Sequence, residues 1–166
     1  MIARPTFRFL VSHPAHAIAL GFGTGLAPVA PGTVGTLLAW PIFWALVYWV
    51  DPSQRDAWLL GTSAGFFLLG VWACGRTGRD LGIPDHSGMV WDEVVAFLII
   101  LTFTPAGWGW GLTAFLAFRF FDVLKPPPIR QVDRAWKGGF GVMFDDIVAA
   151  FYTLLVLALA TRLLGT

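Results

Sequence analysis

Long apolar runs alternate with short polar joints along this chain, and the alternation predicts helices. Residues 9–20 read as a short helix, with Ser12 as a candidate cap and Pro14 in its first turn. At about 1.5 Å per residue it spans under ~20 Å, too short for a hydrocarbon core of ~30 Å. Residues 21–35 carry five glycines and two prolines, which excludes a regular helix there. Further apolar segments cover 34–50, 57–75, 94–103, 108–121 and 147–164. Thr104-Pro105-Ala106-Gly107 joins the third and fourth of these into a helical hairpin. The pattern predicts an all-α fold in one domain over 1–166. The expected architecture is a polytopic membrane bundle of about five apolar helices, with a short N-terminal helix and a Gly/Pro-rich re-entrant-like loop.

Composition agrees with a membrane setting. The chain is 57% hydrophobic and 13% charged, against about 25% charged in soluble domains. A net charge of +1 and the lack of a Lys/Arg-rich run give no reason to expect nucleic acid. The single cysteine, Cys74, excludes an intrachain disulfide and a cysteine metal site; in its apolar setting it reads as an inert thiol. Trp40, Trp44, Trp49, Trp58 and Trp108 lie in or beside apolar segments, as interfacial anchors do. Arg4 and Arg8 ahead of an apolar stretch raise a signal peptide, but His13, Pro14 and His16 interrupt its core and retention is expected. Alternating the segments puts Arg4, Arg8, Arg76, Arg79, Arg119, Lys125, Arg130, Arg134 and Lys137 on one side, and only Arg55 and Arg162 on the other. The first side is expected to be cytoplasmic.

That side also holds the candidate chemistry. Residues 119–146 contain nine of the 21 charged residues, alternating in sign between fixed prolines and glycines. Asp92 and Glu93 open one apolar segment, Asp122 closes another, and Asp145 and Asp146 precede the last. Acids at the mouth of a membrane segment suit a helix dipole, but they are costly unless partnered. Five carboxylates at three helix ends suit Mg²⁺, which prefers oxygen ligands, keeps waters and commonly shares one or two carboxylates with a substrate phosphate. His13, His16 and His86 are too scattered to be ligands, although His86 neighbours Asp85 in a polar loop. The stretch 21–35 reads as a backbone nest for phosphate oxygens or as a tight turn; it lacks the lysine of a nucleotide-binding loop. On residues alone, other readings stay open: a solvated loop, a small transporter or channel with polar access from both sides, and an anion-binding scaffold without catalysis.

Three blocks carry a family resemblance. They are Gly21-Phe22-Gly23-x-Gly25-x-x-Pro28-x-Ala30-Pro31-Gly32-Thr33-x-Gly35, then Val90-Trp91-Asp92-Glu93-Val94-Val95, then Phe118-Arg119-Phe120-Phe121-Asp122-x-Leu124-Lys125-Pro126-x-Pro128-Ile129-Arg130, continuing to Gly138-Gly139-x-Gly141-Val142-Met143-x-Asp145-Asp146-Ile147-Val148-Ala149. In order and over nearly the whole chain, they resemble the phosphatidylglycerophosphatase A family of bacterial membrane lipid phosphatases. Ala96 and Ala150 depart from the pattern, standing where the family is expected to have glycine. The resemblance implies a Mg²⁺-dependent enzyme of the bacterial inner membrane. It removes the terminal phosphate of phosphatidylglycerophosphate, facing the cytoplasm, with no obligate protein partner evident. Asp92, Glu93, Asp122, Asp145 and Asp146 would supply metal ligands and one general base. Lys125 and Arg119, with Arg130 as a weaker third, would bind phosphate oxygens. Thr33 and the amides around Gly32 would hold the phosphate or the glycerol.

Overall fold

A computed structural model describes residues 4–127 and 129–165, apart from the side chains of 132–134. All regular structure among these residues is helical. The expected helix over 9–20 is two: α1 (Phe7–Ser12) and α2 (Pro14–Ala19), parted at His13, whose backbone is extended. Thr6 caps α1 and the His13 ring caps α2, while the Ser12 hydroxyl donates to the Phe9 carbonyl. A 3-10 turn over Gly21–Leu26 follows, with positive φ at Phe22 and Gly23. Then come α3 (Pro31–Val47), α4 (Arg55–Leu81), α5 (Trp91–Phe103), α6 (Trp108–Leu124), α7 (Ile129–Ala135) and α8 (Gly138–Leu164).

α5 is the centre. It packs against α3, α4, α8 and α6, and α8 in turn packs along α4, α5, α6 and α7. All of α5 except Ile99 and Phe103 is buried. Phe97 stacks edge-on with Trp40 and Phe115 and lies tilted on Phe118; each such pair adds about 0.5–1.5 kcal/mol beyond its buried area. Ala96 and Ala150 are fully packed, so their extra methyls are accommodated.

The expected bundle of about five apolar spanning helices is overturned. Among the described residues two helices, α4 and α8, are long and apolar enough to cross a membrane. Each has 27 residues, about 40 Å at 1.5 Å per residue. α3 is apolar but has 17 residues, with Pro41 inside it; α5 has 13 and α6 has 17. The error lies in what apolarity means. A helix that is apolar all round is buried on all sides, and protein encloses α5 as completely as lipid would. In the apolar stretches of α4 and α8, by contrast, only 28% and 22% is buried within the protein. Their outward faces show Leu68, Trp72, Phe151, Leu155 and Leu159, an extent of exposed apolar surface that marks contact with a membrane or a partner.

α4 and α8 run antiparallel at very close range. A Cβ on Gly139 would lie 1.9 Å from the Val71 carbonyl oxygen, while Gly70 faces Met143. Gly61, on the same α4, has nothing within 4 Å of its Cβ position. Gly139→Leu is therefore expected to lower the thermal unfolding midpoint of the detergent-solubilised protein, with an overpacking cost of about 1–3 kcal/mol. Gly61→Ala is expected to leave it unchanged or raised. Equal midpoints for the two variants would contradict this packing.

Candidate active site

The site is assembled from four helix segments. The Val90 N–H donates to the Ala19 carbonyl (2.8 Å), which fixes where α5 begins. Asp92 and Glu93 follow in its first turn, where the dipole favours carboxylates. On α6, Arg119 and Asp122 stand three residues apart and so share a face. Arg119 Nη1 donates to Asp122 Oδ2 (2.6 Å) and to Glu93 Oε1 (3.0 Å), and lies 3.4 Å from Thr36 Oγ1. One guanidinium thereby links α3, α5 and α6.

α6 ends at Lys125 with φ +42°, a left-handed C-cap position that glycine usually fills. A non-glycine residue tolerates that conformation at a steric cost of roughly 1–2 kcal/mol. Here the retained side chain has a role: its ammonium pairs with Asp145 Oδ2. Asp145 and Asp146 were expected ahead of the last helix. They stand about two turns inside α8, which starts at Gly138. On α3, a Cβ at Gly32 would fall 1.8 Å from Glu93 Oε1 and 3.0 Å from Arg119 Nη2. Glycine is thus required by close approach, and Gly32 contributes through its lack of a side chain.

Asp92, Glu93, Asp145 and Asp146 are all buried. Asp92 Oδ1, Glu93 Oε2 and Asp146 Oδ2 are enclosed without a hydrogen-bond partner. Burial, joined by the charge of Glu93, holds the Asp92 carboxyl well above its usual range. Burial and the Asp122 charge push Glu93 up to about 8, against the pull of Arg119. Asp146 lies within the electrostatic reach of Asp122, Asp92, Asp145 and Glu93. The five acids therefore form one cluster, and among the described residues Arg119 and Lys125 pair with it.

Among the described residues, no three His, Cys, Asp or Glu side chains stand ready to enclose a metal ion. The donor set nevertheless suits Mg²⁺: it is all oxygen, and three buried oxygens lack partners. Magnesium commonly takes only one or two carboxylates and fills the remainder with water and phosphate, so a closed protein cage is not required.

Arg130 and Thr33 were also expected at the site. Arg130 is exposed on α7. Thr33 is half-buried in the first turn of α3. Pro128, within the third block, is outside the described residues, as is the Arg134 side chain. His86 is buried with Nδ1 accepting from the Gly88 N–H (2.9 Å), which shapes the loop before α5. His16 pairs through Nε2 with Asp80 Oδ2 (2.9 Å), which also accepts from Arg76 Nε (2.7 Å), fastening α2 to α4. Two residues of the cluster were missed from sequence. Thr36 is fully buried, donating to the Gly32 carbonyl beside Arg119. Asp85 acts electrostatically on Asp92 and Glu93. A lone threonine in an apolar run carries no signal, and Asp85 reaches the cluster only through the fold.

Comparison with known proteins identifies the family of the chain. The family model described as Phosphatidylglycerophosphatase A matches residues 17–161. A Haemophilus influenzae protein named phosphatidylglycerophosphatase A is 42% identical over 153 residues, covering 92% of this chain and 91% of that one. An Escherichia coli protein of the same name is 42% identical over 143 residues, covering 86% and 80%. A Bacteroides thetaiotaomicron protein, provisionally named a phosphatidylinositol-3-phosphatase, is 38% identical over 152 residues, covering 89% and 94%. No solved structure matches the chain significantly. With the match running from within α2 to the last turn of α8, the chain belongs to the phosphatidylglycerophosphatase A family.

Proposed function

We propose that this phosphatase, a phosphoric monoester hydrolase, removes the terminal phosphate of phosphatidylglycerophosphate in a Mg²⁺-dependent reaction, releasing phosphatidylglycerol and inorganic phosphate. The observation that carries the reading is the buried acid cluster, with its partnerless oxygens on Asp92, Glu93 and Asp146 beside the Arg119 guanidinium. Family membership supplies the substrate.

Asp92, Glu93, Asp122, Asp145 and Asp146 are the candidate metal ligands. Bound Mg²⁺ would supply neutralisation of phosphate oxygens and a more acidic water. Arg119 holds two carboxylates at rest, and substrate phosphate exchanges for one of them as its partner. Lys125 turns from Asp145 to a second phosphate oxygen, and together these cations stabilise the charge that develops in the transition state. Thr33 and the amides around Gly32, at the start of α3, border the head group. Arg130 contributes long-range attraction from the rim. A carboxylate of the cluster takes the proton as water attacks phosphorus and the bond to the glycerol oxygen breaks.

The enzyme is membrane-associated. The orientation follows from charge: Arg76, Arg79 and Lys137 lie at the cluster end of α4 and α8, with Arg55 and Arg162 at the other. The basic end, and with it the active site, faces the cytoplasm of the bacterial inner membrane. The Bacteroides relative's name favours a second reading, in which the lipid phosphate sits on an inositol ring.

Purified protein in micelles is expected to release phosphate from phosphatidylglycerophosphate with Mg²⁺ and to stop in EDTA. It should act more slowly on phosphatidylinositol 3-phosphate; the reverse preference favours the second reading. Asp92→Asn, Asp122→Asn and Asp146→Asn should each lower kcat by about 10²-fold or more while the protein still inserts and melts cooperatively. Full activity in these variants would reject the acid-cluster assignment. Rapid quenching during turnover should trap no acyl phosphate, whereas a chemically competent aspartyl phosphate would replace direct water attack by a phosphoenzyme route.

A further inference from the structure

We propose that an apolar groove between α2, α3 and α4 holds one acyl chain of the phospholipid substrate. The inference rests on the lipid-phosphatase reading and extends it to how the lipid is seated. The groove encloses about 420 Å³ and is walled by apolar residues, among them Ala17 and Ile18 of α2, Ile42 of α3, and Phe66 of α4. Trp91 and Phe22 also line it, with their rings in edge-on contact.

Four observations choose the occupant. First, the groove begins where the acids begin. Trp91 directly precedes Asp92 and Glu93 in the first turn of α5, and its indole N–H donates to the Phe66 carbonyl (3.1 Å), so the ring is locked in place. Second, its depth fits one leaflet. On α3, Gly32 abuts Glu93, and Ile42 lies ten residues further along. That separation is about 15 Å of helix axis, half of a ~30 Å hydrocarbon core. Third, Phe22 adopts φ +53°, which a bulky side chain seldom does. The strain places its ring edge-on to Trp91, with centroids 5.8 Å apart, yet leaves the side chain 63% exposed. The ring therefore gains little from burial in the protein itself, and strain held without burial is a mark of a binding position. Fourth, the lining presents no polar surface, so a soluble phosphate ester would gain nothing there, whereas hydrocarbon would.

The lipid thus enters sideways. One chain lies in the groove at the level of α4's apolar stretch, and the head group rises past Trp91 to Asp92, Glu93 and Arg119. The groove sets preference for substrates with long chains.

Two variants and one probe test this. Ala17→Phe narrows the groove, and Phe22→Gly removes one of its lining rings while relieving the positive φ. With dipalmitoyl and dihexanoyl phosphatidylglycerophosphate in mixed micelles, each variant should lower the ratio of kcat/KM for the long over the short substrate by about ten-fold, chiefly through KM. An unchanged ratio in both overturns the proposal. A non-hydrolysable phosphonate analogue of the lipid, with a diazirine midway along one chain, should crosslink on irradiation to Ile42 or Phe66. Crosslinks confined to the outer faces of α4 and α8 overturn the groove even if phosphate release is normal. Crosslinks in the groove without any release from phosphatidylglycerophosphate would remove that substrate and keep the groove as a lipid site.

Discussion

Carboxyl groups enclosed in a largely apolar protein need either positive charge beside them or a proton. Here Asp92, Glu93, Asp145 and Asp146 are all buried, and taking an ion out of water costs several kcal/mol even after relaxation. Arg119 answers Glu93 and Asp122, and Lys125 answers Asp145. Burial first, and then the neighbouring negative charges, leave Asp92 and Glu93 reluctant to ionise. The arrangement is strained electrostatically, and a divalent cation would relieve it most directly.

The helices exist to hold those charges together. α5 delivers two acids from its first turn because protein surrounds it and the Ala19 carbonyl pins its start. α6 delivers Arg119 and Asp122 from its last turns, and its left-handed end at Lys125 redirects the chain toward α7. α8 delivers its acids from inside the helix, made possible by backbone-close packing at Gly139. Gly32 on α3 leaves the room that Glu93 and Arg119 occupy. Gly32 and Lys125 serve a charge directly, while Gly139 serves the contact of α8 with α4.

What sequence reasoning could read followed from polarity. Asp92 and Glu93 were legible because two acids stand at the threshold of an apolar run, and Asp122 because it closes one. Asp145 and Asp146 were seen as important but placed in a loop. Gly138, Gly139 and Gly141 look like chain breakers, yet α8 begins there: Gly138 takes a positive φ, and a Cβ on Gly139 or Gly141 would strike the Val71 or Trp136 carbonyl oxygen. The short helix α7 was hidden by alternating charges and the prolines before it. The count of spanning helices failed because apolar sequence does not say whether lipid or protein does the covering. The strain at Phe22 was masked by its glycine neighbours, which seemed sufficient to absorb the turn.

The central claim is that the acid cluster is a cation site. The direct measurement is the thermal unfolding midpoint of the solubilised protein as Mg²⁺ is titrated, without substrate. A ligand that binds only the folded state stabilises it by about 2.7 kcal/mol at a hundred times its Kd. The account predicts a saturable rise for the native sequence and little or none for Asp146→Asn. An equal rise in both proteins, or none in either, would contradict it.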